Sequence, residues 1–210
     1  MNTFRCGRVV PRVFSVSVLA VALLAGSALA QNADRPNVKV GDQWQFVMYH
    51  GIPSTEPNRA WVVNSITPAG IEGTENGEPL MLTRDLNVLE SPRHKDSNPQ
   101  TLSFPLAVGK QWRYTSDWVF KVKGSKGSSV VDVAVVGHEK VSVPAGEFDA
   151  FKLVAKGIIR GVSGINSQIA GETGTTYWYA PAARAIVKSV SHNPYLGTST
   201  VELVEFQLRP

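Results

Sequence analysis

The sequence predicts an all-β protein: a single strongly curved antiparallel sheet, a half-barrel or cradle, with an internal duplication of a strand–hairpin unit. Three observations predict this fold. Most segments after residue 30 alternate apolar and polar residues with period two, glycine and proline separate these segments, and none of them keeps apolar residues at helical spacing over three turns. Short strands joined by turns in this way form antiparallel sheets.

The first thirty residues have the pattern of a secretory signal peptide. Three arginines precede an apolar run over residues 13–25, and Ala28-Leu29-Ala30 places small residues where a signal peptidase cleaves. The pattern predicts a bacterial general export signal cleaved after Ala30, and a periplasmic or secreted protein; an uncleaved membrane anchor is the alternative. After cleavage we expect no transmembrane helix, and residues 31–210 form a single antiparallel β domain.

Charge and cysteine content narrow the class of protein. The formal net charge is +4, and it falls to +1 when residues 1–30 are removed, because they carry three arginines and no acid. A near-neutral chain lacks the clustered basic face that nucleic acid binding needs, so we expect no nucleic acid partner. The only cysteine, Cys6, precedes the apolar run, so we expect neither a lipid anchor on a cysteine after the cleavage point nor a disulfide in the mature chain.

The phrase Val-Gly-x-Gln-Trp-x-aromatic occurs twice, at residues 40–46 and 108–114. In each copy a glycine precedes two aromatic residues spaced two apart, which places both rings on one face of a strand. Each copy is followed by Pro-Ala-Gly, at residues 68–70 and 144–146. The repeat contains core residues but no repeated acid, histidine or serine, so we interpret it as a duplicated strand–hairpin unit rather than a repeated site.

The remaining strands follow from the same alternation. In residues 111–121 one face carries Trp112, Tyr114, Ser116, Trp118 and Phe120. Further strands are predicted at residues 131–135, 175–180, 185–191 and 199–208. In the last of these, Leu203 and Phe206 fall on opposite faces, and either a bulge or burial of both faces would reconcile the phase.

The aromatic residues predict which face of the sheet is concave, because so large an apolar face must fold inward. We expect this face to carry Trp44, Phe46, Trp112, Tyr114, Phe151, Leu153, Trp178 and Phe206. Four of them are predicted to contact a ligand: Trp44, Trp112, Tyr114 and Trp178.

The chain has no obvious helix to cover the concave face, which favours a cradle that binds a hydrophobic or lipid-like ligand. The alternative is a structural interaction or assembly module of the cell envelope, with a closed core, that binds another envelope protein and no small ligand. The state of the aromatic face, open or packed shut, separates the two.

Residues 157–176 combine five glycines with apolar side chains. One interpretation is an ordinary long hairpin. The other is a flap that closes over the open edge of the sheet, as lids do at binding sites. The flap interpretation adds Ile158, Val162, Ile165 and Ile169 to the predicted ligand-binding residues.

Catalytic and metal-binding patterns are incomplete. His138-Glu139 begins the zinc-protease pattern H-E-x-x-H, but Ser142 occupies the second histidine position. Residues 161–165, GVSGI, lack the final glycine of a nucleophile elbow. The four histidines are scattered along the chain. We therefore predict a non-enzymatic protein with no catalytic residue, no metal and no cofactor.

A basic cluster accompanies the strand at residues 111–121 and the turn after it: Lys110, Arg113, Lys121, Lys123 and Lys126. It indicates either a solvated strand face or a surface that contacts anionic lipid or polysaccharide.

Three phrases have family character: VGKQWRY at residues 108–114, VSVPAGEFDAFKL at 141–153 and YWYAPAARAIVK at 177–188. Together they resemble an exported bacterial family described as TapB-like, or as a domain of unknown function, over roughly residues 105–208. This chain departs from the family pattern at residues 182–185, where the family often has a glycine before the final apolar pair. The resemblance implies a curved antiparallel sheet similar in outline to the LolA and LolB lipoprotein carriers, and it implies no catalytic residue.

Overall fold

The computed structural model describes Met1 and residues 32–56, 58–122, 124–163, 167–193 and 197–210. The predicted signal peptide and its cleavage site after Ala30 therefore lie outside the described residues.

The described chain is built from β-strands and one turn of 3₁₀-helix, Pro181–Ala183. The first seven strands are β1 (Asn32–Ala33), β2 (Gln43–Tyr49), β3 (Arg59–Thr67), β4 (Gly70–Glu75), β5 (Glu78–Leu82), β6 (Val88–Glu90) and β7 (His94–Asp96). The next seven are β8 (Leu106–Ala107), β9 (Gln111–Phe120), β10 (Ser125–Val143), β11 (Gly146–Val162), β12 (Gln168–Ala180), β13 (Ala185–Asn193) and β14 (Gly197–Gln207).

Twelve of these strands form a closed barrel, which corrects the predicted half-barrel or cradle. Around the ring, β2 to β7 are followed by β9 to β14, and every neighbouring pair is antiparallel. β14 then pairs with β2 from Thr200–Tyr49 to Gln207–Gln43, which joins the ends of the sheet. The prediction of an all-β antiparallel protein is confirmed, and the prediction of an open sheet is wrong.

Closure depends on two short strands that the sequence analysis treated as loop. β6 and β7 have three residues each. Two registered pairs join β5 to β6, one joins β6 to β7, and three join β7 to β9. We call β6 and β7 the seam. Their segment, residues 88–96, reads VLESPRHKD and has no alternating pattern to mark it as strand.

The two copies of the Val-Gly-x-Gln-Trp phrase occupy equivalent places in the barrel. Each starts a strand, β2 or β9, two residues after its glycine. Gly41 N donates to Val63 O, and Gly109 N donates to Val135 O, both at 2.8 Å. Each acceptor valine also immediately precedes a bulge in the following ladder, β3–β4 or β10–β11. The prediction that each phrase starts a strand is confirmed.

The end of the barrel where β2 and β9 begin is filled. The segment between β7 and β9 packs there, with Leu102 and Leu106 buried. The Asn87 side chain holds this segment: its Nδ2 donates to Leu102 O at 2.8 Å, and its Oδ1 accepts from Leu102 N at 2.7 Å. β1 and β8 pair as a separate two-stranded sheet, and Ala33 and Leu106 join the same core cluster. We call this the filled end and the opposite one the mouth end.

The predicted bulge in β14 is confirmed. The register between β14 and β2 shifts between Leu203 and Glu205. Leu203 is buried before the shift, and Phe206 packs against the same core after it. The extra residue lets both side chains reach the interior.

None of the helical segments in the described part of the chain is long and apolar enough to cross a lipid bilayer.

Candidate functional site

The barrel contains two adjoining cavities along its interior. The larger, about 1,000 Å³, lies toward the mouth end, and the smaller, about 350 Å³, lies toward the filled end. We call them the mouth cavity and the deep pocket. Four residues line both, so the two share a wall: His94, Asp96, Tyr114 and Tyr177.

The number of strands explains why space remains. A barrel of about eight strands has an interior that side chains can fill, and the diameter grows with strand number. Twelve strands enclose more volume than the side chains of one layer occupy. The segment between β7 and β9 fills one end, and the cavities remain in the rest.

The mouth cavity has a mainly apolar wall. Its large apolar residues come from five strands and one turn: Met48, Trp118, Phe120, Val122, Val131, Ile159 and Ile169. At its outer limit it reaches the turn after β9 and the ends of β11 and β13, where Ser163 and Asn193 stand. A wall of this kind excludes water from the contact with an apolar molecule, which is the main source of affinity for such ligands.

The wall shared by the two cavities is polar. Burial raises the pKa of Tyr114 to about 12, and burial also raises the pKa of Tyr177. The nearby Thr101 side chain lowers the pKa of both tyrosines and so partly opposes the effect of burial. Burial lowers the pKa of His94, and nearby Asp96 only partly opposes this, so the imidazole is neutral at pH 7. The shared wall therefore offers neutral hydroxyl and imidazole groups in an otherwise apolar interior.

Asp96 is held by a serine from the neighbouring strand. Ser116 Oγ donates to Asp96 Oδ1, and Ser116 Oγ also accepts from Asn98 N at 2.8 Å. His94 Nε2 lies 4.0 Å from the other oxygen of Asp96. In hydrolases with a Ser-His-Asp triad, the nucleophilic serine is hydrogen-bonded to the histidine base. Here the serine bonds to the carboxylate, which gives it a structural role.

A buried ion pair stands at the edge of the deep pocket. Arg59 Nη2 lies 2.8 Å from Glu75 Oε2, and Trp61 Nε1 donates to the same oxygen at 3.0 Å. Burial by itself would raise the pKa of Glu75, but the hydrogen bond and charge of Arg59 outweigh it and the pKa lies below its usual value. Arg59 and Trp61 line the pocket and Glu75 lies behind them. The Nη2 donor of Arg59 and the Nε1 donor of Trp61 are thus bonded to Glu75 at this edge of the pocket.

The structure describes seven of the eight predicted ligand-binding residues, and they occupy three kinds of position. Trp44 lines the deep pocket, Tyr114 lines both cavities, and Ile169 lines the mouth cavity. Trp112 packs against the core beside the filled end, where its Nε1 donates to Gln100 O at 2.6 Å. Three more line neither cavity: Trp178, which is partly buried against the core, and Ile158 and Val162 on the outer face. Ile165 lies outside the described residues.

The placement of these three residues follows from strand alternation. Ile158 is 50% exposed, while its neighbour Ile159 lines the mouth cavity. Val162 is an even number of residues from Ile158 and shares its face. Trp178 lies between two inward tyrosines, and its Nε1 donates to Glu139 at 2.8 Å on the outer surface. The concave face predicted to include Trp178 is therefore lined by its neighbours Tyr177 and Tyr179.

Several cavity residues were missed by the sequence analysis. Trp118 and Phe120 were already on the face assigned to Tyr114, so the alternation could have named them. Tyr177 could have been found by counting back in twos from Tyr179. His94 has no such signal, because the strand that carries it has only three residues.

The long hairpin interpretation of residues 157–176 agrees with the ladder. β11 and β12 remain in register from Phe151–Tyr179 to Val162–Gln168, and Ser163 N donates to Ser167 O at 2.8 Å. Among the described residues no group of three or more His, Cys, Asp or Glu side chains could hold a metal ion.

Comparison with solved structures identifies proteins of similar shape. A candidate lipoprotein of Parabacteroides distasonis is 15% identical, with a TM-score of 0.52, and the match covers 83% of this chain and 99% of that one. A candidate exported protein of Bacteroides fragilis with a YmcC-like fold is 17% identical, with a TM-score of 0.49 and the same coverage of both chains. The hypothetical lipoprotein YmcC of Escherichia coli is 11% identical, with a TM-score of 0.45 over 78% of this chain and 83% of that one.

At this level of identity the first match shows a shared fold and nothing about function, and the other two scores are too low to support an argument. No protein-family model matches this chain, and no curated protein matches it significantly in sequence. The resemblance to the TapB-like family and to the LolA and LolB carriers is therefore not confirmed.

Proposed function

We propose that this chain is an exported, non-enzymatic protein of the bacterial cell envelope that binds a hydrophobic or lipid-like molecule inside its barrel. The signal-like pattern of the first thirty residues supports export to the periplasm or beyond. The interior supports the binding role.

One observation carries the proposal: the mouth cavity of about 1,000 Å³ with its mainly apolar wall. This volume falls within the roughly 300–1,000 Å³ of ordinary small-molecule sites. The assembly-module alternative was tied to a closed core, and a cavity of this size favours ligand binding over it.

The polar wall between the cavities fits the polar end of such a molecule. Tyr114, Tyr177 and Thr101 supply hydroxyl groups, and His94 is neutral at pH 7. A molecule with an apolar body in the mouth cavity would place its polar group here. Of the residues expected from the sequence, our proposal keeps Trp44, Tyr114 and Ile169 as ligand contacts.

The adjacent isoleucines of β11 provide a matched test. Ile159→Asp places a charge in the cavity wall, where burying it without a partner is strongly unfavourable, and Ile158→Asp places the same charge on the outer face. We expect Ile159→Asp to weaken the binding of a fluorescent apolar probe at least tenfold and Ile158→Asp to change it less than twofold.

The measurement is probe titration of the purified protein, with far-UV circular dichroism to verify that each variant keeps its β structure. Equal probe affinity in both variants would contradict binding in the mouth cavity. A wild-type protein that takes up no probe and yields no extractable lipid would favour the assembly module.

A further inference from the structure

The surface around the mouth end combines exposed apolar side chains with an excess of basic ones. Ile52 and Val122 are the two most exposed large apolar side chains between residues 32 and 210 of the described chain, at 85% and 77%. Ile52 follows β2, and Val122 follows β9, so both lie at the end of the barrel toward which the mouth cavity opens.

The apolar surface of the β9 turn is continuous with the cavity. Phe120 and Val122 line the mouth cavity and are also solvent-exposed. Val119, which precedes Phe120 in β9 and lies on the outer face of the barrel, is 40% exposed. An apolar molecule entering the barrel therefore meets side chains that are part of both the outer surface and the cavity wall.

Basic residues surround these apolar ones. In the ladder, Val119 pairs with Lys95 on one side and with Lys126 on the other. Lys121 follows in the chain, and its backbone N–H donates to Arg93 O at 2.9 Å, which brings Arg93 alongside. We call Val119, Phe120, Val122 and these four basic residues the β9 patch.

The β9 patch carries a positive excess. Its one ion-paired acid is Glu90, which lies 2.7 Å from Lys121 and 3.4 Å from Lys95. Asp117, the next acid on the outer face of β9, stands two residues farther from the mouth. The charge of Glu75 also interacts with Arg93, so among the described residues two carboxylates face the four cations of the patch.

We propose that the β9 patch docks the mouth of the barrel onto a lipid bilayer that contains anionic phospholipids. Basic groups are attracted to anionic headgroups, and exposed apolar side chains insert at the boundary between headgroups and acyl chains. A soluble polysaccharide would match the cations but would leave Val122 and Phe120 in water. A bilayer matches both, and it places the cavity mouth against the source of lipid-like molecules.

The test measures co-sedimentation of the purified protein with protein-free phosphatidylcholine vesicles, with and without phosphatidylglycerol. Each basic group near an anionic surface contributes a factor of about five to partitioning. We expect binding to the anionic vesicles that falls at least tenfold without phosphatidylglycerol or at high salt, since screening weakens these contacts.

Two variants locate the contact. Val122→Asp should lower vesicle binding about tenfold, whereas Val108→Asp should not, because Val108 is comparably apolar and 53% exposed but lies at the filled end. The double change Lys121→Gln and Lys126→Gln should lower vesicle binding about 25-fold, a factor of about five for each lysine. Neither lysine lines the mouth cavity, so probe binding without vesicles should stay at the wild-type level.

This last readout separates the docking proposal from the proposed function. A wild-type protein that takes up no probe but still binds anionic vesicles would refute the cavity and leave docking intact. Equal sedimentation of Val122→Asp and Val108→Asp, no preference for phosphatidylglycerol, or displacement by a soluble anionic polysaccharide would each overturn the docking proposal.

Discussion

At the scale of single residues, Asp42 and Arg184 stabilise the filled end of the barrel. Arg184 has φ 50 and ψ 32, a left-handed conformation that glycine adopts without strain and other residues adopt at about 1–2 kcal/mol. Its Nη1 lies 3.0 Å from Oδ2 of Asp42, which is 0% exposed. A glycine here would relieve the strain but would leave the buried carboxylate without its cation.

Asp42 also ties together two distant segments of chain. It accepts from Lys39 N at 2.9 Å and from Arg209 N at 2.7 Å. The same position of the second phrase holds Lys110, whose ammonium group bonds with Ser103 O and with Pro105 O. The variable residue of the repeated phrase thus stabilises the filled end in both copies. In the first copy it is the anion Asp42, and in the second it is the cation Lys110.

Glu75 makes stability depend on acid pH. Its folded-state pKa lies below the ordinary value of 4.5, because the hydrogen bond and charge of Arg59 outweigh the effect of burial. Its contribution is therefore present above pH 4.5 and is lost as the pH falls through the folded-state pKa. We expect Glu75→Gln to lower the free energy of unfolding by about 2 kcal/mol at pH 7 and by much less at pH 3.

Urea denaturation from pH 3 to 7 measures this difference. Glu147→Gln is the control, since Glu147 forms an exposed pair with Lys140 and such pairs contribute little. If Glu75→Gln lowers the free energy of unfolding equally at pH 3 and pH 7, the stabilisation does not come from the ionised Glu75 carboxylate.

At the scale of elements, the repeated phrase makes a prediction about its glycines. Gly41 has φ 87 and Gly109 has φ 92, so alanine is strained at both. A Cβ at Gly109 meets open space, and one at Gly41 meets only the flexible end of Arg209. We expect each Gly→Ala change to lower the free energy of unfolding by about 1–2 kcal/mol, because the backbone conformation dominates in both copies.

Gly137→Ala is the matched control for thermal or urea unfolding. A Cβ there also meets nothing within 4 Å, and its φ is not in the positive range. We expect no loss of stability. A clear loss at Gly137, or none at Gly41 and Gly109, would show that the glycines of the phrase are not required by backbone geometry.

Strands with strong alternation could be predicted from the sequence, and the short ones could not. β9 and the bulge in β14 follow from the spacing of Trp118, Leu203 and Phe206. The β4–β5 hairpin also had a signal that was overlooked: Asn76-Gly77 has φ 53 and φ 85, the turn that this dipeptide favours. β6 and β7 form because the neighbouring strands β5 and β9 have backbone edges that need hydrogen-bond partners. The local sequence of residues 88–96 gives no sign of this requirement.

At the scale of the whole molecule, closure changes what the interior can do. The predicted open sheet needed a cover, whereas the observed barrel encloses its own cavity. The interior placement of Trp44 and Tyr114 could be predicted from alternation alone. That His94 lines the same wall as Tyr114 and Tyr177 could not be predicted from the sequence, because this depends on the pairing of the seam with β5 and β9.

The unequal ladders predict unequal hydrogen exchange. Seventeen registered pairs join β10 to β11, whereas a single pair, Glu90–Lys95, joins β6 to β7. We expect seam amides to exchange at least a hundredfold faster than central β10 and β11 amides, because few hydrogen bonds resist local opening. A bound probe should slow the seam selectively, since His94 and Asp96 line both cavities.

Exchange followed by mass spectrometry or NMR tests this, with the β1–β8 pair as a second short ladder that lines neither cavity. If seam amides and β10–β11 amides are equally protected from hydrogen exchange without a probe, the prediction that the barrel closes weakly at the seam is refuted.

The shortness of β6 and β7 also bears on self-association. Removing their few hydrogen bonds would turn the ring into a strip whose two borders, β5 and β9, expose rows of unpaired backbone N–H and C=O groups. Such borders template pairing with other chains, and β9 carries Trp112, Tyr114, Trp118 and Phe120 on one face, the composition of an aggregating strand. Six residues of strand therefore stand between the closed barrel and an edge-to-edge polymer. They act as a guard against aggregation.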